Sequence, residues 1–384
     1  MNILVVGAHF YNKGAHLMMK TVIDEFRNKE EYTLYLSPCS GTKEQIEGLG
    51  YKIMDFPLKH VTAYRSFNIF FFFGNILKYL KKEYRGTLPF DDIDAVLDIS
   101  GFAFSDQWGD QAVLNVHRLI NKIKAKGKKY IFLPQAFGPF SSRIIRKYMR
   151  EGVSKADLVM ARDNNSFEML KELDRKSEIL KYPDITIGLK PGKTEFDQEN
   201  FACIVPNERM LDQGREYWPE GEYMKYVKKS IKKILSGTDC NILVLVHDKG
   251  AGDMKLGREI VDDFPENNRI SLFYEEDPVK LKSIIGQASF VIGSRYHALV
   301  SALSQNIPCI SLGWSHKYIM LFEEYNTEEY VFEIPDDEKF DEKVNFICSL
   351  SKREEIIDRL KSANLELIVK NEEMWQLVYE KLNA

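Results

Sequence analysis

Phe290-Val291-Ile292-Gly293-Ser294-Arg295-Tyr296-His297-Ala298-Leu299-Val300-Ser301-Ala302-Leu303 is the most telling stretch of this chain. The uncharged run to Gly293 reads as a buried strand. Ser294 then stands where a helix N-cap is favoured, and Arg295, Tyr296 and His297 fall in the first turn of an apolar helix. Strand, tight polar turn and helix make half of a βαβ unit. The same alternation extends in both directions. Upstream, strands are expected at 2–7, 33–37, 52–56, 94–99, 129–133 and 157–160, with helices near 14–27, 110–126, 141–152 and 165–173. Downstream of the turn-rich Lys190-Pro191-Gly192-Lys193, strands are expected at 202–205, 241–246, 270–274, 290–293 and 308–312, with helices between them. Such alternation predicts parallel sheets covered by helices on both faces.

The expected architecture is α/β: two doubly wound Rossmann-like domains facing a cleft, over 1–192 and 200–384, the second ending in a charged helical segment from about 351. The 384 residues are 44% hydrophobic and 29% charged, with a formal net charge of −4. There is enough apolar mass to exclude global disorder. The near-neutral balance argues against a protein built to grip nucleic acid. Five scattered cysteines lack CxxC spacing, so neither a zinc ribbon nor a disulfide framework is expected. Cys203, Cys240 and Cys309 adjoin apolar runs and read as buried thiols. Met1-Asn2-Ile3-Leu4-Val5-Val6 looks like a first strand rather than a signal peptide, and no stretch reaches the roughly 20 apolar residues of a membrane span. A cytoplasmic location is the expectation.

Ligands of doubly wound folds sit beyond the carboxyl ends of the strands, so the loops there are the places to search. In the Ser294 turn, backbone N–H groups at a helix start favour an anion. Arg295 adds a charge of bidentate geometry, and His297 adds a proton donor or acceptor. The plainer reading is a capping turn with a surface Arg and a packed His. His9-Phe10-Tyr11-Asn12-Lys13-Gly14-Ala15-His16 follows the first strand and is neither a dinucleotide fingerprint nor a P-loop. Ser100-Gly101-Phe102-Ala103-Phe104 and Pro134-Gln135-Ala136-Phe137-Gly138-Pro139-Phe140 follow later strands. Arg162 and Asp163 read as a structural ion pair. His247-Asp248 ends the strand 241–246 and would either line a ligand site or cap the next helix.

Taken in order, these loops resemble the polysaccharide pyruvyl transferase family. The matching pieces are Asn12-x-Gly14, Ile99-Ser100-Gly101, Pro134-Gln135-x-x-Gly138-Pro139-Phe140, Ala161-Arg162-Asp163, Tyr182-Pro183-Asp184, Gly293-Ser294-Arg295-Tyr296-His297-Ala298, and Pro308 with the following strand and Lys317. They cover residues 1 to about 325. Two departures stand out: Phe102-Ala103-Phe104 replaces the family's glycine-rich run, and Ala15-His16 replaces the residues that usually follow the first-loop glycine.

The resemblance implies a GT-B-like fold and a phosphoenolpyruvate donor. It implies a product in which a pyruvate ketal bridges two sugar hydroxyls. The donor is held by Arg209, Ser294, Arg295, Tyr296 and Lys317 on this reading, and His297 is the general acid that protonates the methylene carbon. Acceptor contacts are expected from Tyr11, Asn12, Lys13, Gly101 and Gln135. No cofactor and no metal are needed. The expected partner is a sugar acceptor on a cell-surface polysaccharide or its polyprenyl-diphosphate-linked precursor. Two alternatives stay open: a nucleotide-sugar glycosyltransferase of similar architecture, and a non-catalytic glycan-assembly scaffold.

Ile69-Phe70-Phe71-Phe72-Phe73, followed by Lys78, Lys81, Lys82 and Arg85, stands apart. Helical spacing from 64 to 85 fits a packed core helix. With a lipid-linked acceptor, the same aromatic and basic mixture would rest on the inner face of an anionic membrane.

Overall fold

The computed structural model describes residues 1–55, 88–192, 194–248 and 251–384. The stretch 64–85, with its core-helix and membrane readings, lies outside the described residues. The chain divides into two compact units. The first comprises Met1–Phe10, Met18–Ile185 and Asn371–Ala384, and the second Tyr11–Leu17 and Thr186–Lys370.

In the first unit the strands β1 (Asn2–Val6), β2 (Thr33–Leu36), β3 (Lys52–Asp55), β4 (Leu88–Pro89), β5 (Ala95–Asp98), β6 (Lys129–Gln135), β7 (Leu158–Ala161) and β8 (Ile179–Lys181) form one sheet. Its order is β4-β3-β2-β1-β5-β6-β7-β8, with every pairing parallel. Such strands are buried on both faces, which is why they read as apolar runs: β5 and β7 are buried at every position. The chain leaves β1 towards β2 on one side and returns at β5 on the other, so the sheet reverses direction between them. There Gly7, at φ +89°, has Ser100 so close that a Cβ would lie 2.6 Å from that residue's Cα. No side chain fits there, and the positive φ is itself costly for any other residue.

Beneath that crossing Asp98 is fully buried. Its carboxylate accepts hydrogen bonds from Ser100 Oγ (2.6 Å) and Tyr130 Oη (2.6 Å), while burial pushes its pKa up. The Arg162 guanidinium, also buried, pairs with Asp184 at 3.2 Å rather than with its neighbour Asp163. Asp163 instead caps the helix Asn164–Leu173, accepting the Ser166 N–H at 2.7 Å. The expected ion pair therefore exists with a different partner, because Asp163 is held by its own helix start.

The second unit carries β9 (Phe201–Val205), β10 (Asn241–Val246), β11 (Ile270–Tyr274), β12 (Val291–Gly293), β13 (Cys309–Leu312) and β14 (Val331–Phe332). Their order is β11-β10-β9-β12-β13-β14, again all parallel, with the reversal between β9 and β12. Cys203 and Cys309 are buried inside this sheet, and Cys240 is buried at its edge of the core.

The helix Leu350–Asn383 serves both units. Its end, 371–384, belongs to the first unit, although the charged tail reads from sequence as part of the second domain. Trp375, Val378 and Leu382 are buried there, and Phe26 meets Trp375 and Tyr379 edge-on at 6.1 and 5.3 Å. Burying that apolar stripe fixes the helix end. Among the described residues no helix is long and apolar enough to cross a membrane.

Candidate functional site

In the second unit the polar residues of interest follow the carboxyl ends of β9, β10, β12 and β13, on either side of the β9/β12 reversal. Open α/β sheets bind ligands at such a reversal. Asn207 follows β9, His247 follows β10, Ser294 follows β12, and Gly313 to Lys317 follow β13.

Ser294 ties these ends together. Its Oγ donates to Tyr223 Oη at 3.0 Å. Its carbonyl accepts from Asn207 Nδ2 (2.9 Å) and from Tyr318 Oη (2.7 Å). Burial raises the Tyr223 pKa to about 12, so its phenol stays neutral. Ser294 is not the N-cap that its position suggests. Arg295 occupies the cap of the helix Tyr296–Leu303, with extended φ and ψ and no side-chain cap bond. The serine hydroxyl is already engaged by Tyr223, which pulls it inward and leaves the helix start uncapped by a side chain.

Arg295 is held by the sequence-distant Asp253, in the first turn of the helix Ala251–Asp262. Arg295 Nε donates to Asp253 Oδ2 at 2.8 Å and Nη2 donates to Oδ1. The same Oδ1 accepts the Glu208 N–H at 2.9 Å, joining the loop after β9 to this pair. Nη1 keeps only a long contact to Asp248, 3.5 Å, among the described residues. One edge of the guanidinium, Nε with Nη2, is thus anchored on Asp253, while Nη1 is held only by the longer contact to Asp248. Bidentate anchoring fixes the plane of the fork.

His247 is buried at the end of β10. Its pKa lies well below the ordinary histidine value, first because of burial and then because Arg295, Lys13 and His297 are close by. It is a neutral imidazole in a cationic neighbourhood. Lys13 reaches this neighbourhood from the first loop. Its ammonium is buried, donates to the Glu275 carbonyl and lies 3.9 Å from the centre of the Tyr274 ring. The next residue, Gly14, has the His297 ring against its Cα: a Cβ there would fall 2.0 Å from Nδ1. Asn12 Oδ1 accepts the N–H groups of Gly14 (2.8 Å) and Ala15 (3.2 Å) and so caps the helix Lys13–Phe26. His297 itself is half-buried, with Tyr296 edge-on at 5.3 Å.

The remaining sequence candidates are spread more widely. Lys317 lies 5.1 Å from the Trp314 ring and 5.2 Å from that of Tyr318, whose hydroxyl holds Ser294. Beside it, Trp314 Nε1 and Ser315 Oγ are buried donors with no hydrogen-bond partner among the described residues. Arg209 is exposed and paired with Asp212 at 2.9 Å. Tyr11 is 79% exposed. Tyr11, Asn12 and Lys13 group with the second unit, whereas Gly101 and Gln135 belong to the first. Gly101 adopts φ +70°. Gln135 is fully buried, its amide donating to Asp98 Oδ1 at 3.3 Å. Sequence reasoning missed Asp253 and Tyr318 altogether, and it left His247 open. An aspartate in a helix's first turn is too common to signal an arginine partner 42 residues away. Among the described residues no group of three His, Cys, Asp or Glu is placed to hold a metal ion.

A family model described as polysaccharide pyruvyl transferase matches residues 12–316. No curated protein sequence matches the chain. Among solved structures, the S. aureus MnaA–UDP co-structure superposes with a TM-score of 0.63 at 12% identity, covering 100% of this chain and 96% of that one. The UDP-GlcNAc 2-epimerase from Neisseria meningitidis bound to UDP-GlcNAc gives 0.59 at 10% identity, covering 99% and 100%. A UDP-glucose:anthocyanidin 3-O-glucosyltransferase in complex with UDP gives 0.52 at 10% identity, covering 100% and 98%. At such identities the likeness is one of fold: two parallel α/β sheets, as in GT-B-type glycosyltransferases and epimerases.

Proposed function

The chain belongs to the polysaccharide pyruvyl transferase family, and from that premise we propose that this transferase takes phosphoenolpyruvate as donor and builds a pyruvate ketal across two sugar hydroxyls. The observation that supports the donor is the gathering of Arg295, Lys13, His297 and a buried, neutral His247 beside the β9/β12 reversal. Phosphoenolpyruvate carries a carboxylate and a phosphate, and such a compact anion needs fixed cations and N–H donors. Arg295 Nη1, held only by the 3.5 Å contact to Asp248, suits one of its oxygens, and Lys317 is a further cation.

The chemistry requires a proton on the methylene carbon, which becomes a methyl group and leaves an oxocarbenium-like centre at C2. One sugar hydroxyl adds there and loses its proton. Phosphate then departs with the C2–O bond electrons, and the second hydroxyl closes the ketal, losing its own proton. His297 is the group assigned to the first proton transfer, and the same imidazole can accept a proton from a hydroxyl afterwards. We place the acceptor on a cell-surface polysaccharide or its lipid-linked precursor. The stretch 64–85 would contact the inner membrane face.

The test incubates the protein with phosphoenolpyruvate and candidate lipid-linked sugars, reading phosphate release and mass gain on the sugar. His297→Ala should lower turnover by about 10²–10⁴-fold and leave phosphoenolpyruvate binding within a few-fold. UDP release from UDP-sugars without phosphate release, or full turnover by the variant, would overturn the assignment.

A further inference from the structure

We propose that Gly14 is the positioning residue for His297. The absent side chain is what lets the imidazole lie on the first turn of the helix Lys13–Phe26. As a statement about catalysis this rests on the donor reading above; as a statement about packing it stands alone. Three atoms of the His297 ring would meet a Cβ at Gly14: Nδ1 at 2.0 Å, Cγ at 2.6 Å and Cε1 at 2.7 Å. Contacts below 3 Å with three atoms of one ring cannot be relieved by a small tilt. The ring would have to leave its place.

The backbone itself gives no reason for a glycine. Gly14 lies within the helix and is not among the positive-φ glycines, and in a helix alanine is the better residue. The neighbours hold the turn firmly. Asn12 caps it, and the buried Lys13 ammonium is fastened to the Glu275 carbonyl and over the Tyr274 ring. With the turn fixed, the glycine face determines where the imidazole sits. His297 is in turn fixed at its backbone, because Ser301 Oγ donates to its carbonyl at 2.6 Å. Nδ1 is the ring atom nearest the Gly14 face.

The experiment is a cycle of Gly14→Ala, His297→Ala and the double variant, in the full chain. Gly14→Ala should lower kcat for phosphate release by about 10–10²-fold, as a displacement of about 1 Å in a reacting group does. Phosphoenolpyruvate affinity should stay within about twofold, and the double variant should be no slower than His297→Ala alone. The seven histidines allow a second readout that needs no turnover. The His297 ring resonance, identified by its loss in His297→Ala, should move in Gly14→Ala. Should Gly14→Ala fold poorly, the double variant should recover the melting temperature, since the conflict is with the imidazole. Equal losses of kcat in both backgrounds, an unmoved ring resonance, or a double variant that folds as poorly as Gly14→Ala would each overturn the proposal. If the wild type releases no phosphate from phosphoenolpyruvate, the donor reading fails, and the ring resonance still decides the packing claim.

Discussion

Asp253→Asn is the substitution that most directly probes how the site is held. Asp253 is fully buried and its two oxygens take three donors: Arg295 Nε, Arg295 Nη2 and the Glu208 N–H. Asparagine keeps the shape and one oxygen. Its amide nitrogen, however, must face a guanidinium N–H or the Glu208 N–H, donor against donor. The Arg295 charge is then left without its buried counter-ion. Removing one partner of a buried pair costs about 3–5 kcal/mol. The Arg295 side chain is 14% exposed and Asp248 remains 3.5 Å away, so the lower end, about 3 kcal/mol, applies. For a unit of this size each kcal/mol moves the melting temperature by about 2–4 °C. A fall of roughly 6–12 °C in the unfolding transition is therefore expected by calorimetry at pH 7.5. Pairing Asp253→Leu with Arg295→Met removes both charges and should recover most of that loss, because an apolar pair of similar volume is often as stable. Melting of Asp253→Asn within about 2 °C of the wild type, or no recovery in the apolar pair, would refute this account of Arg295.

His247 gives a pH signature. Its native imidazole resists protonation, whereas the unfolded one takes a proton below the ordinary value of 6.5. The unfolded state therefore binds more protons below that pH. The stability His247 lends is present above 6.5 and is lost as pH falls, by at most about 1.4 kcal/mol per pH unit. His247→Asn should flatten that part of the melting temperature against pH between 7.5 and 5.5, and an unchanged slope would count against a buried neutral imidazole. For the stretch 64–85, Phe71→Glu with Phe72→Glu should reduce sedimentation with anionic liposomes and spare turnover on a soluble acceptor. Loss of folding would instead favour the core-helix reading.

The strand–helix alternation was legible because buried parallel strands are uninterrupted apolar runs: Ile242 to Val246 cannot easily be anything else. Short strands were not. β8 is Ile179–Lys181, preceded by Glu178 and ending on a lysine, and β14 is only Val331–Phe332. Too few residues carry the pattern there for periodicity to register. Single residues at the site were legible by type and not by partner. Arg295 announced itself as a cation beside a helix start, but its ally Asp253 is fixed by tertiary packing. Lys13 reads as part of the first loop, and only the fold groups it with His247 and Tyr274. The end of the last helix, with lysines and glutamates between Trp375, Val378 and Leu382, hides an apolar stripe whose destination the sequence does not name.

These assignments separate two kinds of residue within the motifs that carry the family resemblance. Arg162 and Asp184 come from motifs 22 residues apart and are spent on each other inside the first unit. Gly7 and Ser100 close the crossing of β1 and β5. Ser294 is consumed by Tyr223, Asn207 and Tyr318. Each of these contacts lies inside the fold and gives a structural reason for the residue type. Arg295 differs in degree: its Nε/Nη2 edge is anchored on Asp253, and Nη1 has only the 3.5 Å contact to Asp248. Gly14 departs from what its helix alone prefers, since alanine suits a helix better, and the His297 ring packed against it supplies the reason. Gly14 therefore has a tertiary reason, the place it leaves for the His297 ring, so substitution at 14 probes that ring's position rather than the helix itself.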